Sequence, residues 1–95
     1  IEIEVGTPNE YALQQNYPNP FNPTTTISYS IKEKGLVTLK VCDILGKEIV
    51  TLVNEEQNSG FYSLEFKASN FASGIYFYTL MAGDFVSTKK MILLK

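Results

Sequence analysis

Histidine is absent from this 95-residue sequence, and cysteine occurs only once, as Cys42. The absence of histidine excludes the Ser-His and Cys-His pairs of nucleophilic catalysis. One cysteine cannot form an internal disulfide, and no cluster of cysteine and histidine exists to hold zinc. The acidic residues form no Asp-x-Asp-x-Asp run of the kind that binds calcium. The sequence therefore predicts a domain that is not an enzyme and that holds no metal or other cofactor.

A surplus of basic residues is also missing. The chain has 8 basic against 10 acidic residues, which gives a formal net charge of −2. Nucleic-acid-binding domains normally carry a basic surplus or patch, so nucleic acid is not predicted as a partner. The longest near-continuous apolar run, Ile75–Ala82, is far shorter than the roughly 20 residues that span a bilayer, so stable membrane insertion is not predicted either.

The first residue is Ile1 rather than methionine, and we therefore expect a processed product or a piece of a longer protein. Residues 1–10 are expected to be a linker from an upstream passenger, because the run GTPN interrupts the alternating start IEIEV. The remaining residues, 11–95, suffice for one domain with one modest core.

Most of residues 11–95 alternates between apolar and polar side chains, the period of half-buried β-strands. The predicted strands are a short one within 11–15, then 24–31, 36–42, 48–53, 62–67, 75–81 and 85–94. Ile75–Met81 is apolar on both parities, which is typical of a central strand. Strands joined by short turns predict an all-β fold, an immunoglobulin-like antiparallel β-sandwich of about seven strands.

Three connections between these strands are predicted from their residues. Asn54–Gly60 reads as a polar loop, in which Glu55 and Glu56 are solvated charge. Ala68–Gly74 is expected to make one helical turn that carries Phe71. The Gly-Asp pair after Ala82 predicts a hairpin turn.

Proline is concentrated in one segment, the lead-in Tyr17–Pro23, with the sequence YPNPFNP. Its members Pro18, Pro20, Phe21, Asn22 and Pro23 are predicted to be structural. Each proline fixes its own φ and biases the preceding residue toward extended geometry, which favours a stiff, extended segment. We expect this segment to cross one end of the sandwich while Phe21 inserts between the sheets. A polyproline-type docking surface is the alternative interpretation.

Two further patterns have competing interpretations. The adjacent residues Lys89 and Lys90 point to opposite faces of a strand, so that strand either lies at a sheet edge or contains a bulge. The aromatic run Tyr76-Phe77-Tyr78 is favoured as core, with a carbohydrate-binding platform as the alternative. Cys42 is expected to be a small packed or half-exposed strand residue.

Several segments, in this order and spacing, resemble the C-terminal sorting domain of type IX secretion substrates (type A). They are LQQNYPNPFNPTTTI at 13–27, VCDILGKEI at 41–49, TLV at 51–53, SGIYFY at 73–78 and TKKM at 88–91. The resemblance covers residues 11–95. A related immunoglobulin-like domain of the flagellar hook-capping protein shares part of the pattern. Cys42 departs from the family, which more often has tyrosine at that position.

The resemblance implies a sorting signal that directs an exported parent protein to the cell surface or the medium. The parent of such a domain reaches the periplasm of a Gram-negative bacterium, and the outer-membrane secretion machinery then recognises the domain. In many members a sortase-like protease removes it and attaches the passenger to the cell surface. Cleavage here would fall in or before residues 1–10.

The family signal lies mainly in the final strands. By position it corresponds here to ten residues: Gly74, Ile75, Tyr76, Gly83, Asp84, Thr88, Lys89, Lys90, Met91 and Lys95. An alternative function is a carbohydrate-binding or structural spacer module of a secreted polysaccharide-degrading enzyme, which would use exposed aromatic residues such as Tyr76 or Tyr78.

Overall fold

The computed structural model describes residues 8–95, and these residues form seven β-strands and no helix. The strands are β1 (Ala12–Leu13), β2 (Thr24–Ile31), β3 (Gly35–Cys42), β4 (Glu48–Gln57), β5 (Gly60–Lys67), β6 (Gly74–Ala82) and β7 (Phe85–Leu93). The predicted linker, residues 1–10, lies outside the described residues except for its last three.

The strands form two antiparallel sheets, one with the order β1-β2-β5 and one with the order β4-β3-β6-β7. β2 pairs with β5 and β3 pairs with β6, so both sheets are built from strands that are distant in sequence. These are the strand pairings of immunoglobulin-like sandwiches. The predicted all-β sandwich of about seven strands is confirmed, and β6 is an interior strand as its two apolar faces predicted.

The core lies between the two sheets and follows from the period of two. On β2, Ile27, Tyr29 and Ile31 point inward and are almost completely buried, whereas Thr26 is exposed. The inward positions of the second sheet are equally buried, and their side chains are Val37, Leu39, Val41, Tyr78, Leu80, Ala82, Met91 and Leu93. Burying an aliphatic side chain of this size contributes about 1.5–3 kcal/mol, so this core supplies the main stabilisation of the domain.

The lead-in joins the two sheets at one margin of the sandwich. Tyr17 exchanges two backbone hydrogen bonds with Thr26 of β2, at 3.1 and 3.0 Å. Four residues later, Phe21 forms a parallel bridge to Leu93 of β7. Phe21 is 2% exposed, and its ring lies 6.2 Å from that of Phe66 on the opposite sheet. The predicted insertion of Phe21 between the sheets is confirmed.

The lead-in is not the single extended segment that its prolines predicted. The chain bends at residues 18–20 and again at 22–23, between its contacts with the two sheets. The peptide bonds before Pro18, Pro20 and Pro23 are cis. Because the segment lies at the sheet margins, its prolines leave no interior ladder position without a donor.

Two predicted connections are wrong. Asn54–Gln57 continue β4, where Asn54 pairs with Thr38 and Gln57 with Gly35. Glu55 and Glu56 therefore lie in a strand, and only residues 58–59 connect β4 to β5. β4 is an edge strand, and residues 54–56 near its end are exposed, so polar residues are tolerated there. The stretch after β5 contains no helical turn; it turns through a hydrogen bond of 3.1 Å from Phe71 N–H to the Ala68 carbonyl.

β4 has apolar residues at both odd and even positions, and its register against β3 explains this pattern. Two register shifts interrupt the β3–β4 ladder, one beside Leu39 and one beside Val41. At each shift β4 has one more residue than β3, so the side chains that follow change faces. Val53 and Val50 thus both lie opposite inward-facing residues of β3 although their parities differ.

Candidate functional site

The β6–β7 hairpin contains nine of the ten residues predicted to form the secretion signal, and Lys95 follows it by two residues. Gly74, Ile75 and Tyr76 begin β6, and the register places them opposite Leu93, Ile92 and Met91. Gly83 and Asp84 form the connecting turn at the far end. The structure therefore brings the predicted residues onto one hairpin, but it distributes them over both ends and both faces.

The turn of this hairpin is the predicted Gly-Asp turn. Ala82 pairs with Phe85, so Gly83 and Asp84 form a two-residue connection. Gly83 has a φ of +59°, and no residue other than glycine has a positive φ within residues 8–95. A two-residue turn with glycine alone in the left-handed region is the II′ geometry that fits the strand twist. The glycine at this position is thus explained by backbone conformation.

The inward face of the hairpin belongs to the core. Met91 is completely buried, and Tyr76 packs against the core with its hydroxyl donating to the Ala72 carbonyl at 2.5 Å. The Tyr76 ring lies 5.8 Å from Phe71, which in turn lies 5.7 Å from Phe66. These rings close one end of the sandwich. Tyr76 and Met91 therefore have a packing role that accounts for their presence without any partner.

The two adjacent lysines lie on an edge strand with continuous register, so the edge interpretation holds and no bulge occurs in the β6–β7 pairing. Lys90 pairs with Phe77 and points to the outer face of the sheet, where it is exposed. Lys89 pairs with Tyr78 and has the inward parity, where it is half-buried at the margin. The two charges are therefore presented to different sides of the domain.

Residues 15–21, which include most of the lead-in, cover the edge of β7 beside these residues. The Gln15 side-chain amide donates to the Lys90 carbonyl at 2.7 Å. Ile92 N–H donates to Asn19 Oδ1, and the Ile92 carbonyl accepts from Phe21 N–H, both at 2.9 Å. Leu94 N–H donates to the Phe21 carbonyl at 2.9 Å. The C-terminal half of the last strand is thus already paired within its own chain.

A buried polar network anchors the lead-in, and the sequence analysis missed it. The Tyr78 hydroxyl donates to the Gln14 carbonyl and accepts from Asn16 N–H, both at 2.7 Å. The Asn16 side chain, which is 2% exposed, donates to Thr25 Oγ1 at 3.0 Å and to the Pro18 carbonyl at 3.1 Å. Burial raises the pKa of Tyr78 to about 12, so the hydroxyl keeps its proton at neutral pH.

One member of this network has a signal in the sequence. Thr25 has the same parity as the buried residues Ile27 and Tyr29, and it is 1% exposed. A hydroxyl at an inward position needs a partner, and it donates to the Pro18 carbonyl at 2.8 Å. Asn16 carries no such signal, because it precedes the regular alternation.

The aromatic run of β6 does not form the exposed platform that a carbohydrate-binding module needs. Tyr78 is fully buried between the sheets, and Tyr76 packs against the core. Phe77 alone points outward, and it is half-buried. The core interpretation is correct for both tyrosines, and the carbohydrate-binding alternative has no support from these residues.

Two kinds of feature are absent from residues 8–95. No group of three or more histidine, cysteine or acidic side chains is placed to hold a metal ion. The same residues contain no helix long and apolar enough to cross a membrane. Cys42 is half-exposed on the outer face of β3, opposite Phe77.

A family model described as the secretion system C-terminal sorting domain matches residues 15–94. No curated protein matches the chain. The matched range includes residues 15–23 and the whole β6–β7 hairpin. These two parts of the molecule pair with each other at the sandwich margin. The chain therefore belongs to the family of type IX secretion C-terminal sorting domains.

Proposed function

We propose that this domain carries an upstream passenger across the outer membrane, that the secretion machinery recognises the domain through its β6–β7 hairpin, and that the linker is the site of any later cleavage. The observation that carries the proposal is the family match over residues 15–94. The ten signal residues named above, from Gly74 to Lys95, are assigned to recognition by their positions in the family pattern.

The physical properties of the fold support a portable signal. Its core closes without an internal disulfide, since Cys42 is the only cysteine. The lead-in completes the sandwich by pairing with β2 on one side and with β7 on the other. The sandwich therefore needs no strand from a passenger attached before residue 11. A signal that must function behind different passengers needs this independence.

Cleavage by a sortase-like protease and attachment of the passenger to the cell surface belong to the same proposal. A protease binds its substrate in an extended, unpaired form. Residues 8–11 precede the first strand, whereas the chain from β1 onward is paired in sheets or tied to them by hydrogen bonds. This distribution favours cleavage upstream of Ala12, in or before the predicted linker. The mature product would then be the passenger alone.

The test is transplantation of the domain. Residues 11–95 are fused to the C-terminus of a periplasmic reporter and expressed in cells with a functional type IX system and in cells without it. We expect the reporter outside the cell, or on its surface, only in the competent strain. A reporter that stays in the periplasm of both strains would refute the proposal.

Point substitutions are better suited to locating the signal than truncation is. Deletion of β7 would remove Met91 and Leu93, both fully buried, and would unfold the domain whatever the machinery recognises. Substitutions at exposed hairpin positions avoid this difficulty.

A further inference from the structure

The edge of β7 is unavailable where the predicted signal is densest. Around Lys90 and Ile92, the outward-facing backbone groups already bond to Gln15, Asn19 and Phe21. A partner that added a strand there would have to displace the lead-in, together with the buried ring of Phe21. Recognition of the folded hairpin at this end must therefore use a side-chain face rather than the edge.

Only one face of the hairpin is available. Most inward side chains of β6 and β7 are buried in the core, namely Tyr78, Leu80, Ala82, Met91 and Leu93, and the rest are half-buried. Because side chains alternate along a strand, the opposite parity forms an outer hairpin face. It consists of four cross-strand pairs, which are Ile75–Ile92, Phe77–Lys90, Thr79–Thr88 and Met81–Val86.

This outer hairpin face is more apolar than a solvated sheet face requires. Met81 is 46% exposed and Val86 is 61% exposed. On the neighbouring strand, Leu36 is 62% exposed and borders the same face. A contiguous group of exposed apolar side chains with a polar surround marks an interaction site more often than isolated ones do.

The charges near the face indicate the chemistry of its partner. Lys90 is exposed beside Phe77, and the single salt bridge within residues 8–95 joins Lys40 to Glu48 at 3.5 Å. Residues 74–95 contain three lysines and one aspartate, although the whole chain has a net charge of −2. Of these charges, Lys90 alone lies on the outer hairpin face, which therefore carries one positive charge within an apolar strip. A protein with carboxylates around an apolar strip is complementary to it.

We propose that the outer hairpin face is the docking surface for a protein of the secretion machinery, which presents an apolar strip with a carboxylate opposite Lys90. The inference rests on the proposed function. It adds which face of the hairpin the partner protein contacts and which chemical groups the partner presents there. Of the ten predicted signal residues, it assigns direct contact to Ile75, Thr88 and Lys90. It adds five residues that were not among the ten: Phe77, Thr79, Met81, Val86 and Ile92.

The experiment uses the complete chain fused to the periplasmic reporter and measures the exported fraction. Val86→Glu and Lys90→Glu place a carboxylate on the outer hairpin face, and each should lower export about tenfold or more, as loss of a central interface contact does. Lys90→Arg keeps the charge and should retain export. Phe61→Glu is the matched control, because Phe61 is 62% exposed on the other sheet; its export should equal that of the unsubstituted chain.

The outcomes separate this inference from the proposed function. If the unsubstituted fusion is not exported, the proposed function fails. If it is exported and the Val86→Glu and Lys90→Glu variants are exported equally well, the docking surface is wrong. The loss at Lys90→Glu should also exceed that at Lys89→Glu about tenfold, because Lys89 does not lie on this face. Equal losses of export would show that the secretion machinery responds to the net charge of the domain rather than to this face.

Folding and self-association are measured on the same variants. Far-UV circular dichroism and the urea midpoint must match those of the unsubstituted chain; if Val86→Glu fails this condition, Lys90→Glu and Lys90→Arg decide the question. Sedimentation over a range of concentrations detects dimers. A dimer that Val86→Glu abolishes while export persists would assign the face to a second copy of the chain and overturn the proposal.

Discussion

The hydroxyl of Tyr78 binds the backbone just before the lead-in, at Gln14 and Asn16, and its removal is the most informative perturbation of this buried anchor. Tyr78→Phe keeps the ring in a fully buried site and removes only the oxygen. The Gln14 carbonyl then loses a donor and Asn16 N–H loses its acceptor, both at 2.7 Å. A buried polar group without a partner costs about 1–3 kcal/mol.

With two groups affected, we expect the free energy of unfolding to fall by about 2–6 kcal/mol. A domain of this size is stable by only about 5–14 kcal/mol in total, so the loss is a large fraction. For a denaturant slope of about 2 kcal/mol per molar urea, the midpoint should decrease by about 1–3 M. The measurement is equilibrium urea unfolding followed by circular dichroism.

Tyr62, on β5 of the other sheet, provides a matched control. The Tyr62 hydroxyl donates to the Asn58 carbonyl at 2.6 Å in an exposed setting. Water can replace this bond, so Tyr62→Phe should change stability by less than about 0.5 kcal/mol. Equal effects of Tyr78→Phe and Tyr62→Phe would refute the reasoning, since burial of the hydroxyl is its only premise.

Three further predictions test other parts of the domain. Burial raises the folded pKa of Tyr78 from 10.0 to about 12, so between these pH values the folded state keeps a proton that the unfolded state has released. The stability from this group should be complete below pH about 10 and fall by about 2 kcal/mol as the pH rises to about 12, and urea unfolding of Tyr78→Phe should show a weaker dependence on pH. Phe21→Ala should lower stability by about 3–5 kcal/mol through the cavity it leaves, whereas Phe21→Leu should lower it less; a smaller loss for Phe21→Ala in calorimetry would contradict the packing. Gly83→Ala should cost about 1–2 kcal/mol, because alanine resists a φ of +59°, and Gly83→Asn should cost less in the same experiment.

The parts of the fold that follow from local pattern were predictable, and those set by tertiary pairing were not. Alternation predicted the inward faces of β2 and β3 because one side of each strand is wet. The polar end of β4 was missed, because the exposed end of an edge strand needs no apolar side chains. The bends of the lead-in were missed for a different reason. A proline fixes only its own φ, whereas the path of the chain from β2 of one sheet to β7 of the other depends on where those two strands lie.

In the candidate site, too, features set by local pattern were predictable and features set by tertiary pairing were not. The hairpin turn at Gly83 was predicted, since a Gly-Asp pair between apolar runs specifies it. The roles of Tyr76 and Met91 could not be separated from recognition by sequence, because a family pattern preserves core residues and contact residues alike. Only the register, which gives Tyr76 and Met91 the inward face and Lys90 the outer face, distinguishes the two.

The two ends of the described chain meet at one margin, and this position constrains how the last strand can be read. The bonds from Gln15 and Asn19 to β7 join residues 75 and 73 positions apart. Such contacts form only when the intervening strands are in place, because the loop between them must first be closed by the core. The paired edge at Lys90–Leu93 therefore exists only in the complete sandwich. A partner that binds the outer hairpin face meets these side chains in fixed register, whereas an unfolded chain offers the same residues without it.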